Sequence, residues 1–360
     1  MFKKYLLGLI NFISLYVIAV SCNTTEPPII DNIPAGKRDY VWSIDSIDYG
    51  NIPSLIQLES IWGSSAVDVW GANGDAPDVR DCLWHYDGVK WSRATEGTPI
   101  TEGDGNKVVY SVWGSSQNDV WAFGRKINQG SLSAFIMYYN GSQWIDATPA
   151  NVAALDINLY SVYGKAADNI WVEGYEYALH YNGSNWNTHK VADSIIVGSI
   201  SGNDKYLYLT TYSPWDDFTP RNLCLFSEGN FIVIDQSPVF PIKFGLGLWV
   251  SHQEIKSFED GIISNYIKED GSVNVNGWRR ELTTATSFGL GSVLAQSTKN
   301  VFAVGVWNLI YHFNGTDWVK ININVPNHTV DPLARFWGVW TDGKEVFICD
   351  IGNGIIYHGR

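Results

Sequence analysis

Short apolar runs separated by turn-forming residues occupy most of the chain, and the clearest of them repeat. Residues 60–70 (SIWGSSAVDVW) return almost unchanged as residues 111–121 (SVWGSSQNDVW). Copies with the same spacing follow at 161–171 and 292–302, and weaker copies begin near residues 199, 244 and 338. The chain therefore contains seven copies of one unit.

The second half of the unit recurs as HYDGVKW (85–91), YYNGSQW (138–144), HYNGSNW (180–186) and HFNGTDW (312–318). Asp-Gly or Asn-Gly between apolar runs is the strongest short-range signal for a hairpin. Each unit thus predicts four short strands, and a period of about 40 to 50 residues with four strands is typical of propeller blades. The sequence predicts an all-β fold, a seven-bladed β-propeller with four antiparallel strands per blade.

The last unit lacks an outer strand, because the chain ends at residues 355–360 (IIYHGR). An open ring would leave an unpaired strand edge, which invites aggregation. Residues 39–45 (DYVWSID) precede the first unit and place Trp42 where Trp91 and Trp318 stand in other units. We expect this N-terminal strand to close the last blade.

These motifs resemble the Trp-rich bacterial β-propellers with VWGSSxxDVW-type repeats, which occur in secreted and surface proteins of bacteria such as the Bacteroidetes. The resemblance extends from about residue 39 to the C-terminus; it is strong in units 1, 2, 3 and 6 and weak in units 4 and 5. It implies a propeller architecture in a Bacteroidetes-like surface lipoprotein, and it brings no catalytic residues with it.

The N-terminus predicts export. Lys3 and Lys4 precede an apolar stretch over residues 5–20, which is shorter than a typical membrane-spanning helix, and small residues then lead to Cys22. The pattern resembles the bacterial lipoprotein signal, which implies lipidation of Cys22; ordinary secretion is the alternative. We expect a signal peptide at 1–21, a lipidated linker at 22–37, a β-propeller at 38–360, and a cell-envelope location as an outer-membrane lipoprotein, periplasmic or surface-exposed.

Composition and net charge limit the classes of partner that the protein is expected to bind. The 17 Trp and 19 Tyr against 2 Met fit an all-β protein, because flat aromatic rings suit a pleated surface. The net charge of -13 argues against nucleic acid, whose binding needs a basic patch. We expect no nucleic-acid partner and membrane contact through the lipid anchor only. No metal-ligand spacing stands out, and we expect neither a metal nor a cofactor.

Residues that repeat from unit to unit are expected to be scaffold. His85, His180 and His312 occupy one equivalent position in three separate units. Equivalent positions in different blades lie far apart around a ring, so these side chains cannot converge on one ligand. We therefore expect packing or local hydrogen bonds for them, and inter-blade packing for the repeated tryptophans.

The variable loops are the expected recognition surface. In a propeller, the second-to-third turns and the links between blades share one face, and in this sequence those segments vary in length while the opposite turns repeat. The predicted ligand-binding residues are Asp75, Asp78 and Arg80 of unit 1, Arg125 and Lys126 of unit 2, Tyr175 and Tyr177 of unit 3, Trp215, Asp216 and Asp217 of unit 4, and Trp307 and Asn308 of unit 6.

Three functional hypotheses follow. The first is a non-catalytic binding lipoprotein that recognises a glycan or a protein partner on this face, since aromatic rings beside carboxylates suit either ligand. The second is a glycan-active hydrolase or lyase on the same face, because paired carboxylates can act as acid and base. The third is a structural lipoprotein that docks another envelope protein.

Overall fold

Seven four-stranded antiparallel sheets account for the strands of the described chain. The computed structural model describes residues 34–45, 47, 56–74, 76, 79–95, 97–98, 106–213, 221–237, 247–284 and 289–360. The predicted signal peptide, Cys22 and the linker up to residue 33 lie outside these residues.

The strands of the first four blades follow one another in chain order. Blade 1 contains β2 (Leu58–Ser65), β3 (Asp68–Asn73), β4 (Leu83–Tyr86) and β5 (Trp91–Arg93). Blade 2 contains β6 (Asn106–Ser116), β7 (Asp119–Asn128), β8 (Ser131–Tyr139) and β9 (Trp144–Asp146). Blade 3 contains β10 (Leu159–Ala166), β11 (Asn169–Gly174), β12 (Tyr177–Tyr181) and β13 (Trp186–Lys190). Blade 4 contains β14 (Ile196–Gly202), β15 (Leu207–Tyr212), β16 (Asn222–Ser227) and β17 (Asn230–Gln236).

The remaining blades complete the ring. Blade 5 contains β18 (Gly247–Val250), β19 (Glu254–Phe258), β20 (Gly261–Tyr266) and β21 (Arg279–Thr283). Blade 6 contains β22 (Leu290–Ser297), β23 (Asn300–Gly305), β24 (Leu309–Phe313) and β25 (Trp318–Lys320). Blade 7 contains β26 (Phe336–Thr341), β27 (Val346–Asp350), β28 (Ile355–Gly359) and β1 (Trp42–Asp45). A 3-10 turn (Val79–Asp81) joins β3 to β4, and the helix α1 (Ala150–Ala153) joins blades 2 and 3. The predicted seven-bladed propeller is confirmed.

The repeated aromatic-Gly pair forms the contact between neighbouring inner strands. The ring of Trp62 covers Gly114 of the next blade, and the ring of Trp113 covers Gly164. Trp340 covers Gly63 in the same way, which carries the contact across the junction between blades 7 and 1. Any side chain at these glycines would overlap the ring of the neighbouring blade. Close packing of the ring on the glycine therefore explains why the aromatic-Gly pair is repeated.

The N-terminal strand closes the ring as predicted. Strand β1 pairs antiparallel with β28, with Trp42 opposite Gly359. The backbones of Val41 and Arg360 extend this pairing by exchanging two hydrogen bonds of 2.9 and 3.0 Å. Trp42 is buried in one apolar cluster with Phe302 of blade 6, as Trp144 of blade 2 is with Trp70 of blade 1.

The segment before β1 docks on blade 6. The backbone N–H of Gly36 donates to the carbonyl of Lys299 at 2.8 Å, and Arg38 forms an ion pair with Asp317 at 3.0 Å. Lys299 lies in the turn between the first and second strands of blade 6, and Asp317 lies in the turn between its third and fourth strands. The chain therefore enters the propeller on the face that carries these repeated turns.

The repeated histidines make local contacts. Each imidazole packs on an aromatic ring of the neighbouring strand, with ring-centroid distances of 4.0 Å for His85 and Trp70, 4.2 Å for His180 and Trp171, and 4.4 Å for His312 and Phe302. Their Nε2 atoms lie 2.7 Å from Asp68, 3.1 Å from Asn169 and 2.8 Å from Asn300, respectively. These contacts are the local packing and hydrogen bonding that the repeat predicts.

Candidate functional site

A β-bulge recurs near the start of the inner strands and supplies a ring of side chains that does not follow the repeat. In blade 1 the register between β2 and β3 shifts between Leu58 and Ser60, so that Glu59 is the extra residue, and five other blades shift at the equivalent place. A bulge re-aims the extra side chain. We call the six extra residues the bulge ring: Glu59, Tyr110, Tyr160, Gly198, Gly291 and Trp337.

The bulge ring lines a central cavity of about 550 Å³ between the inner strands. In blade 1, Leu58 at the start of the inner strand pairs with Asn73 at the end of the second strand. The bulge ring therefore lies at the face that carries the second-to-third turns, which the sequence predicts as the recognition face. We call this end of the cavity the mouth.

Two tyrosines and an arginine form one side of the mouth. The rings of Tyr110 and Tyr160 lie 4.8 Å apart between centroids, and the guanidinium of Arg125 lies 5.6 Å from the centroid of the Tyr110 ring. The side-chain amide of Asn158 donates to the hydroxyl of Tyr160 at 2.6 Å. Blades 2 and 3 thus present two neighbouring aromatic rings, tilted by 42° to each other, with a cation over one of them.

A buried carboxyl group lies in the wall of the same cavity. Glu173 in β11 is only 3% exposed, and it accepts a hydrogen bond of 3.1 Å from the backbone N–H of Ser161. Burial raises the pKa of Glu173 to about 8, so the group is mostly protonated at neutral pH. The corresponding residue is Ala72 in blade 1 and Phe123 in blade 2, so this acid departs from the scaffold.

Blade 4 adds a second ionisable group beside Glu173. Burial raises the pKa of Tyr212, at the end of β15, and the negative charge of Glu173 raises it further. The Arg221 guanidinium lies 5.4 Å from the centroid of the Tyr212 ring and donates to Glu259 at 2.9 Å. The polar groups of the mouth are thus concentrated on blades 2 to 5.

Several buried polar atoms at this mouth have no hydrogen-bond partner within the described part of the chain. They are Ser111 Oγ, Arg125 Nε, Asn158 Oδ1, Glu173 Oε2 and Thr210 Oγ1. Native proteins satisfy nearly all buried polar groups, and each exception needs a reason. A bound ligand that supplies both donors and acceptors is such a reason.

The predicted site residues that the structure describes lie around this face in different blades and do not converge on one point. Arg125 reaches the mouth through Tyr110, whereas Arg80 lies exposed in the 3-10 turn of blade 1. Trp307, half exposed, and Asn308 form the turn between β23 and β24 in blade 6, where both residues have positive φ. Asp75, Asp78, Trp215, Asp216 and Asp217 lie outside the described residues.

Two parts of the loop prediction differ from the structure. Arg125 and Lys126 were expected in a variable loop, but they belong to β7, which continues to Asn128 and pairs with β8 along its length. Their flanking residues favour strand, and the extended pairing satisfies their backbone groups. Tyr175 and Tyr177 pack, partly buried, against the apolar cluster between blades 2 and 3, and Tyr177 already belongs to β12.

The bulge ring and Glu173 were not among the predicted residues, although the sequence carries a signal for them. In five of the six bulged blades the bulge residue precedes the repeated serine, and this position varies between Glu59, Tyr110 and Tyr160 in the first three units. Glu173 is an acid inside a strand that is otherwise buried. A residue that varies from unit to unit, directly before a repeated motif, is therefore the sequence signal for the mouth.

The described residues contain no group of three or more His, Cys, Asp or Glu side chains placed to hold a metal ion. Helices long and apolar enough to cross a bilayer are likewise absent from the part of the chain that the structure describes.

No protein-family model and no curated protein matches the chain. Solved structures do match. YCF48 bound to a D1 peptide superimposes over 91% of this chain and 97% of that protein, with 12% identity and a TM-score of 0.58. A virginiamycin B lyase from Staphylococcus aureus with quinupristin matches over 89% of this chain and 99% of its own, with 12% identity and a TM-score of 0.59.

A third match is the extracellular domain of a hybrid two-component system from B. thetaiotaomicron. It covers 88% of this chain with 14% identity and a TM-score of 0.59, and the chain spans 40% of that protein. At these identities the three likenesses show the β-propeller fold alone.

Proposed function

We propose that this protein is a non-catalytic binding protein of the cell envelope that holds a peptide segment of a partner protein in the mouth of its propeller. The observation that carries the proposal is the concentration of buried, unpartnered donors and acceptors at the mouth, among them Ser111 Oγ, Arg125 Nε and Glu173 Oε2. A peptide backbone offers alternating N–H and C=O groups that match such a mixed set.

The size and charge of the cavity support a peptide. Its volume of about 550 Å³ fits a few residues of an extended chain and lies within the usual range for ligand sites. The mouth combines the carboxyl groups of Glu59 and Glu173 with the guanidinium of Arg125. A peptide backbone can supply acceptors for this guanidinium and donors for these carboxyl groups. The peptide in the YCF48 structure is in keeping with this choice.

The envelope location rests on the sequence of residues 1–22, with Cys22 as the lipid anchor. The described chain enters the propeller beside Lys299, on the face opposite the mouth. The first described residues thus lie away from the mouth and leave it free for a partner, as an anchored binding protein requires.

The test is a displayed random-peptide library panned on the purified full chain, with a glycan array in parallel. We expect peptide binders whose affinity falls about tenfold in Tyr160→Ala, because a stacking contact is lost. Tyr266→Ala is the matched control, since Tyr266 is similarly exposed but ends a third strand on the opposite face. Selective glycan binding without peptide binding would refute the peptide assignment. Equal losses of peptide affinity in Tyr160→Ala and Tyr266→Ala would refute the mouth as the binding site.

A glycan-active enzyme is the second candidate, and the observation in its favour is the raised pKa of Glu173, about 8. A carboxyl group that keeps its proton at neutral pH suits a general acid, and Glu59 is a second carboxyl group in the same cavity. Turnover of a polysaccharide by the full chain, abolished in Glu173→Gln, would establish this activity in place of simple binding.

A further inference from the structure

We propose that the mouth selects a primary ammonium group, carried by a lysine side chain or by the N-terminus of a peptide, and that Glu173 receives it. This inference rests on the peptide-binding function proposed above and names the group that is recognised. It is carried by the geometry of Glu173, by the charges around it, and by the aromatic rings of the mouth.

Glu173 has spare capacity to accept hydrogen bonds. One carboxyl oxygen, Oε1, accepts from the N–H of Ser161 at 3.1 Å, and Oε2 has no partner among the described residues although it is buried in the cavity wall. On the neighbouring strand β12 the residue opposite Glu173 is Ala178, which offers only backbone. A ligand that donates to Oε2 would satisfy an atom that the fold leaves unsatisfied.

The charged groups around Glu173 have other partners. Arg221 donates to Glu259 at 2.9 Å and lies over the ring of Tyr212, while Arg125 lies over the ring of Tyr110. None of the ion pairs in the described chain includes Glu173, so no described cation compensates an ionised carboxylate there. The titratable groups that line the cavity with Glu173 are Glu59, Tyr110, Tyr160 and Tyr212, and Arg221 and Glu259 act on Tyr212 from beyond the cavity wall.

Aromatic rings complete a site for a cation. Tyr110, Tyr160, Tyr212 and Trp337 all line the cavity, and Tyr160 lies on the bulge directly before Ser161, the residue that donates to Glu173. The face of an aromatic ring attracts a positive charge, most strongly where water is excluded. A carboxylate with tyrosines beside it, in a cavity that also contains a tryptophan ring, therefore favours an organic cation over an anion or a neutral group.

The shape of the site favours ammonium over other cations. A guanidinium is planar and needs a fork of acceptors, whereas Glu173 offers one free oxygen. Hard metal ions require six or more oxygen ligands, and the wall around Glu173 consists largely of aromatic and apolar side chains. A compact ammonium group with three donors can use Oε2 together with hydroxyl or backbone acceptors.

Binding should be coupled to a proton. Free Glu173 has a pKa raised to about 8 by burial, and an ammonium group beside it stabilises the ionised form. Ligand binding at neutral pH therefore releases the proton of Glu173. Affinity for a lysine ammonium should rise with pH up to about 8, by as much as about tenfold per pH unit, and should level off above it. Affinity for an N-terminal amine should instead fall again above pH 8, because that amine has a pKa of about 8 and loses its own proton there.

The experiment is isothermal titration of the full chain with three small probes at pH 6, 7, 8 and 9. The probes are Nα-acetyl-lysine amide for a side-chain ammonium, glycinamide for an N-terminal amine, and Nα,Nε-diacetyl-lysine amide as the neutral counterpart. We expect binding of at least one amine probe, at least tenfold tighter than the neutral probe at pH 8, with the pH dependence above. The two amine probes distinguish the two sources of the ammonium group.

Two variants assign the effect to Glu173. Glu173→Gln should weaken amine binding at least tenfold at pH 8 and remove its pH dependence. Glu59→Gln is the matched control, because it removes the other carboxyl group of the cavity and should preserve the pH dependence. Equal thermal midpoints of Glu173→Gln and the parent at pH 4 show that the variant is folded.

Equal affinity for the amine and neutral probes, or an unchanged pH profile in Glu173→Gln, would overturn the inference. Peptide binders from the library without enrichment of lysine or a free N-terminus would also overturn it, while leaving peptide binding intact. The absence of binding by every probe and every peptide would overturn both proposals.

Discussion

Replacing Trp42 with alanine tests the closure of the ring at its weakest point, where the two ends of the chain meet. Trp42 is 5% exposed, lies 5.7 Å from Tyr40 between ring centroids, and shares an apolar cluster with Phe302 of blade 6. Truncation of a buried tryptophan costs about 3–5 kcal/mol, through lost transfer free energy and the cavity left behind. We expect the free energy of unfolding to fall by that amount.

The assay is urea denaturation followed by circular dichroism, with Val41→Ala as the control. Val41 precedes Trp42 and is 76% exposed, so its truncation should change stability by less than about 0.5 kcal/mol. A lower midpoint at an unchanged slope would mean that the native ring is weakened without a change of mechanism. A Trp42→Ala loss as small as that of Val41→Ala would refute the assignment of Trp42 to the core of blade 7.

Deletion of residues 38–48 is the stronger form of this test. It removes β1 and leaves the edge of β28 unpaired, which is the open edge that the closure is inferred to prevent. We expect a sharply lower thermal midpoint and aggregation of the purified chain. An unchanged melting curve would show that the last blade does not depend on the N-terminal strand.

Three further substitutions test the packing, the buried acid and the loops. Gly164→Ala should lower the free energy of unfolding by about 1–3 kcal/mol, because the added methyl group overlaps the ring of Trp113; urea denaturation measures this, and a loss below 0.5 kcal/mol would contradict it. Between pH 4.5 and about 8 the unfolded chain loses the Glu173 proton while the native state keeps it, so native stability should fall as pH rises through this window. Glu173→Gln should therefore be up to about 4 kcal/mol more stable than the parent at pH 8, at about 1.4 kcal/mol per pH unit of the window, and equal to it at pH 4. Equal stabilities at both pH values would refute the buried position of the acid. Trp307→Ala should leave the thermal midpoint unchanged, since the ring is half exposed, and should weaken binding of any selected peptide if the blade 6 turn belongs to the recognition surface, whereas unaltered affinity would remove Trp307 from it.

The sequence predicted the fold because units 1, 2, 3 and 6 repeat the same short-range signals at a fixed period. Asn-Gly and Asp-Gly turns, such as Asn182 with Gly183, fix the hairpins locally, and Gly183 adopts the positive φ that such a turn needs. The spacing of Trp62 and Trp113 gave the period of the ring. Trp42 could be assigned to blade 7 from the missing strand alone, because a closed ring leaves one place for it.

The candidate site was predicted only in part. From variation in loop length the sequence predicted a recognition face, and the mouth of the cavity lies at that same face, but the residues proposed from those loops, such as Arg80 and Trp307, belong to different blades and do not meet. Arg125 was the exception, and it reaches the mouth from a strand through contact with Tyr110. Variation in loop length indicates which face of the propeller carries the variable loops. It does not indicate which side chains converge on the axis of the propeller.

What the sequence determined by itself is therefore the number of blades, their strand order and the strand that closes them, because turns and alternation act over a few residues. Only the tertiary structure decided that Tyr110, Tyr160 and Trp337 meet around one cavity, since the bulges that aim them inward do so only after the blades close into a ring. The same holds for Glu173: an acid in a strand becomes a buried group with a raised pKa only when the blades close around the cavity and bury it.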